Sequence, residues 1–137
     1  MKNLANCKPS EFLSQTNKIR KSVEKWLELT DIINIRRRIP AGMPVVTPDL
    51  SDKEREAVEK KRKEMLYSQM RENLSAILDS CLDKHPDETL EILALCCFVD
   101  PKNVDEYEMK DFLGAALDMI EDETVVRFFT LLMRLAR

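Results

Sequence analysis

Residues 84–101, KHPDETLEILALCCFVDP, decide how the rest of the chain is read. Pro86 suits a first helical turn, where its missing N–H is not needed. Asp87 and Glu88 favour the positive end of the helix dipole. Pro101 then stops the helix. Residues 92–99 are apolar on every side, as expected of a central helix surrounded by others. The expectation is therefore an all-α protein with this helix at its centre.

The same periodicity extends in both directions. Toward the amino terminus, PSEFLSQTNKIRKSVEKWLELTD places Phe12, Thr16, Ile19, Val23, Trp26 and Leu27 at three- and four-residue spacings, one apolar face of a helix starting near Pro9. TDIINIRRRI predicts a second helix, capped by Thr30 or Asp31 and ending before Pro40. Residues 40–50, PAGMPVVTPDL, hold three prolines and a glycine and read as a linker or extended arm. Ser51 and Glu54 then form a capping box that opens a long helix. The first half of that helix is charged nearly all round, so packing is expected only from about Met65 onward. Toward the carboxyl end, residues 106–121 predict a helix with Met109, Phe112, Leu113, Ala116, Leu117 and Ile120 on one face. A last helix, TVVRFFTLLMRLAR, closes the chain.

These segments predict one compact bundle of five to six helices over residues 1–137. Its parts are basic helices at 1–39, the proline-rich linker at 40–50 and an acidic helical core at 51–137. Trp26, Leu74, Ile77, Leu78, Leu93, Cys97, Phe112 and Leu117 are the expected core. Residues 1–40 carry nine Lys/Arg against four Asp/Glu, and residues 71–137 carry seven against fifteen. Such a charge gradient suits attraction within one fold, attraction between copies, or recruitment of a charged partner. If the arm hands the first helix to another copy, the result is a swapped dimer.

Chemistry finds little support. Only two glycines occur in 137 residues, which disfavours phosphate-cradling loops and tight hairpins. The cysteines, at 7, 81, 96 and 97, contain no C-x-x-C pair, and His85 is the single histidine. Adjacent helical residues point about 100° apart, so Cys96 and Cys97 cannot easily grip one metal ion. They read as packing. A small enzyme using Cys7 or Cys81 with His85 is the rival class. No cofactor and no metal is expected. The absence of a long apolar span and of an apolar leader core predicts a cytoplasmic protein with reduced thiols.

Two features invite a partner instead. Arg36, Arg37 and Arg38 fall within one turn and offer an anion site, the basis of an alternative reading as a nucleic-acid-binding or regulatory protein. No aromatic accompanies them, and the chain is acidic overall, so weak, salt-sensitive binding is the expectation. The second feature is the final helix. Its apolar residues cover more than one face, so core alone, a second copy or a client helix must cover the surplus. Phe128, Phe129, Leu132 and Met133 are the candidate partner-binding residues.

Three stretches, NCKPSEFLSQTNKIRKSVEKWLELTDI, SAILDSCLDKHPDETLEILALCCFVDPKNVDEYEMKDFL and VVRFFTLLMRL, carry a resemblance. They resemble the tail assembly chaperones encoded in the tail-morphogenesis region of temperate phages and prophages of Gram-positive bacteria. The resemblance spans most of the chain outside residues 40–65 and consists of packing patterns. It implies a small, all-helical, non-enzymatic protein that binds the long helical tape measure protein until tail tube subunits polymerise around it. Many such chaperones also exist in a longer, frameshifted form, and a close at RLAR within an apolar helix suits a short form or a shortened chain. The family has no catalytic residues to carry over.

Overall fold

The computed structural model describes every residue from Met1 to Arg137. The chain is all-helical, with no strand. Its α-helices are α1 (Pro9–Thr30), α2 (Ile32–Arg36), α3 (Asp52–Leu78), α4 (Pro86–Cys96), α5 (Met109–Glu121) and α6 (Glu123–Leu135). A π-helical segment, Asp79–Lys84, prolongs α3, and a 3-10 segment, Pro101–Glu106, joins α4 to α5. The backbone divides into two compact units, Met1–Trp26 with Pro86–Arg137, and Leu27–His85. Both ends of the 40–50 segment lie inside the second unit. No helix is long and apolar enough to cross a membrane.

The first unit is built on α4 and α5. Ala94, Cys97, Val99, Phe112 and Ala115 form its buried cluster, with Leu93 and Val104 packed against it. Small side chains at Ala94 and Ala115 let the two helices lie close. The end of α4 is closed by Phe98 in a left-handed conformation, φ 56°. The Val99 N–H donates to the Ala94 carbonyl at 3.0 Å, and the Phe98 N–H to the Leu95 carbonyl at 3.3 Å. This is the hydrogen-bond pattern of a Schellman cap, in which glycine is the usual left-handed residue. Here phenylalanine takes that place, and the Lys2 ammonium lies 4.8 Å from its ring centre. Two polar links fasten α1 to α4. The Gln15 amide donates to the Leu95 carbonyl at 2.6 Å, and the Trp26 indole N–H to Thr89 Oγ1 at 2.9 Å.

The second unit pairs α2 with α3. Asp31, at φ 56°, breaks the path between α1 and α2, a conformation that Asp tolerates better than most residues. Ser51 caps α3 as expected, accepting from the Glu54 N–H at 3.2 Å. Ser80 donates to the Thr30 carbonyl at 2.8 Å, and the Asn73 amide donates to the Arg38 carbonyl at 3.1 Å. Residues 40–50 have no regular structure. The Arg62 guanidinium holds them to α3 through the Pro44 carbonyl at 2.8 Å.

The expected core needs correction. Cys97 and Phe112 are buried, and Trp26, Ile77 and Leu93 are half-buried. Leu74, Leu78 and Leu117, however, are exposed. On α5 the buried positions are Phe112 and Ala115, which turns Met109, Leu113, Leu117 and Ile120 to solvent. The apolar arc of α5 is wider than one contact, and the small Ala115 decides which edge meets α4. On α3, burial falls on polar Asn73 at the α2 side, leaving most of the leucine-rich edge uncovered. The helix over 31–39 is also shorter than expected, ending at Arg36.

A candidate partner-binding groove

Helix α6 begins at Asp122, whose carboxylate accepts from the Val125 N–H at 2.9 Å. Val125 is the one buried residue of the helix. One turn further, Phe128 meets Phe12 of α1 edge to face, ring centroids 4.9 Å apart, and Phe129 at 5.6 Å. Beyond that aromatic contact nothing in the chain buries α6. Leu131, Leu132, Met133 and Leu135 are all exposed.

The space between α1 and α6 is a groove of about 440 Å³, floored by Leu13, Thr16, Ile19 and Val23 on one side and Phe128, Phe129 and Leu132 on the other. Asn17, Arg20 and Glu24 complete its lining. Arg20 is paired with Glu24 at 2.8 Å and also donates to Asn17, so the charges there are balanced locally. A second recess of about 390 Å³ adjoins it, sharing Leu13 and Phe128 and reaching Leu4, Cys7 and Pro9. The surface on both flanks of Phe128 is thus apolar and open. Within the groove the Thr16 hydroxyl is buried without a hydrogen-bond partner, a costly arrangement for a polar atom.

Of the residues expected to bind a partner, Phe128, Phe129 and Leu132 line this groove, and Met133 stands apart from it at 64% exposure. The α1 half of the groove was not expected. Ile19 and Val23 belong to the apolar stripe of the first helix, of which the expected core includes only Trp26, and Leu13, exposed by 60%, lies beside that stripe. The only sequence signal for Leu13 was an apolar residue adjacent to Phe12, outside the three–four pattern.

The other candidate residues are placed differently. Arg36 and Arg38 border a separate groove of about 480 Å³ in the second unit, whose floor includes Ile39, Leu66, Met70, Leu74 and Ile77. An aliphatic floor suits an apolar ligand better than a phosphate backbone. Burial pushes the Cys96 thiol up to about 11, helped by neighbouring Cys97. Cys97 and Cys81 are also raised by burial. An activated nucleophile needs the opposite shift. No group of three or more His, Cys, Asp or Glu side chains is gathered closely enough to hold a metal ion.

The accessible surface of the chain is 10261 Å². Large apolar side chains on α3, α5 and α6 are prominent in that surface. Comparison of the chain with protein-family models, with curated proteins and with solved structures finds no match.

Proposed function

We propose that this chain is a tail assembly chaperone that binds the tape measure protein, or another helical phage tail protein, through the groove between α1 and α6. The observation that carries this reading is the state of α6. A 13-residue helix with apolar residues round more than one face buries one of them, Val125. The sequence resemblance supplies the identity of the client, and the groove supplies a means of holding it.

An amphipathic client helix presents apolar side chains at three- and four-residue spacing, which an apolar trough accepts without demanding one sequence. Each Leu- or Phe-sized side chain buried contributes about 1.5–3 kcal/mol. Several are needed, because association costs about 4–15 kcal/mol before any affinity remains. Phe129, Leu132 and Leu13 offer apolar area on one side of the complex, and the client supplies the other. Such a chaperone acts in the bacterial cytoplasm, needs neither cofactor nor metal, and releases its client when tube subunits compete for the same apolar surface.

Co-expression with the long helical protein encoded nearby tests the reading. Joint solubility and co-purification are expected. A client that is equally soluble alone and never co-purifies would overturn it.

A further inference from the structure

Helix α3 carries a second apolar surface, in the other unit and independent of the chaperone reading. Leu66, Met70, Leu74, Leu78 and Leu82 recur every four residues and are 45–63% exposed, with Tyr67 beside them. Four-residue steps drift round an α-helix of 3.6 residues per turn. The wider π turn over Asp79–Lys84 takes more residues per revolution. It therefore offsets part of that drift and keeps Leu82 on the side of Leu78. Leu66, Met70 and Leu74 floor the open groove beside Arg36, Arg38 and Ile39, and Leu78 and Leu82 continue the stripe as exposed residues.

The geometry points to a second copy of this chain as the occupant, packed antiparallel along α3 with Leu74 at the two-fold axis. Three observations select it. First, the spacing is symmetric about Leu74: an antiparallel mate sets Leu66 against Leu82 and Met70 against Leu78, so one surface satisfies itself. Second, charge favours this direction. Lys60, Lys61, Arg62 and Lys63 outnumber Glu59 and Glu64 before the stripe, whereas Asp79 and Asp83 outnumber Lys84, which pairs with Asp79 at 3.5 Å, after it. Antiparallel packing brings Lys63 of one copy within a turn of Asp83 of the other, whereas parallel packing sets lysines beside lysines. Third, the six side chains offer on the order of 700 Å² per copy, close to the roughly 800 Å² per partner of a standard stable interface. Isologous pairing closes on itself and leaves no further copy to recruit.

Disulfide trapping on the full-length chain tests both pairing and direction, with wild-type protein, which has its own four thiols, as the blank. Leu74→Cys should form a disulfide-linked dimer on mild oxidation, because each Leu74 faces its own copy. Leu66→Cys alone should give none beyond the blank, whereas a mixture of Leu66→Cys and Leu82→Cys chains should cross-link. In light scattering the wild type should have twice the chain mass, and Leu74→Glu, at an exposed position, should be monomeric with an unchanged helical circular dichroism spectrum. A monomeric wild type, a dimer indifferent to Leu74→Glu, or Leu66→Cys linking as readily as Leu74→Cys would each overturn the proposal.

Discussion

The ring of Phe128 stands perpendicular to that of Phe12, centroids 4.9 Å apart, and this contact ties α6 to α1. The two phenylalanines are structural; the exposed residues beyond them are available for a partner. Phe128→Ala should therefore cost about 2–4 kcal/mol, combining lost burial with the lost aromatic pair. Leu132→Ser, one turn on and exposed, should stay within about 1 kcal/mol. Urea unfolding of the two variants separates these roles. Equal destabilisation would mean that Leu132 belongs to the core.

Thr16 makes a second, opposite prediction. Its buried hydroxyl has no hydrogen-bond partner, so removing it relieves a desolvation cost. Thr16→Val keeps the shape and should stabilise the chain by about 1 kcal/mol. A loss of stability in thermal or urea unfolding would show that the hydroxyl does find a partner in solution.

Cys96 sets a pH dependence. Burial, helped by neighbouring Cys97, pushes its thiol in the folded chain up to about 11, above the usual 9.0 of a cysteine. Below pH 9 the thiol is protonated in both states and the full stability is present. As pH rises from 9 to 11 the unfolded chain releases the proton while the folded chain keeps it, so stability falls over that window. Denaturation midpoints measured across that range should decline for the wild type. The decline should be shallower in Cys96→Ala, since lysine titration is common to both. Identical slopes would remove Cys96 as the cause.

In the second unit, Ser80 donates to the Thr30 carbonyl from a buried position. Ser80→Ala should cost about 1–3 kcal/mol by removing that bond, whereas Ser75→Ala, exposed on α3, should change little. Hydrogen exchange should show faster opening at the α1–α2 junction in Ser80→Ala alone.

Helix positions were legible because their signals are local. Pro9 and Pro86 start α1 and α4, and the Ser51–Glu54 box starts α3, whereas α4 ends at Cys96 and not at the expected stop, Pro101. Burial was less legible because it depends on which helix arrives at which face. Leu74, Leu78 and Leu117 have the spacing of core residues and remain exposed, while polar Gln15, Ser22 and Asn73 are buried. Gln15 and Asn73 satisfy backbone carbonyls more than 30 residues away in sequence. No periodicity encodes such a partner. The left-handed turn at Phe98 was equally hidden, because residue identity argued against it. For the groove, the surplus of apolar residues on α6 pointed to Phe128, Phe129 and Leu132. The contribution of α1 was masked because an apolar helix stripe looks the same whether its cover is the core or a partner.

The central claim, that the α1–α6 groove holds a helical client, is tested most directly by titrating a purified helical fragment of the tape measure protein into the chain by calorimetry. The double variant Phe129→Ser with Leu132→Ser, both positions exposed, is titrated alongside. Saturable binding to the wild type, weakened at least tenfold in the variant while the variant keeps its helical circular dichroism spectrum and a cooperative unfolding transition, is the predicted result. Binding of equal strength to both proteins, or no binding to either, would contradict it.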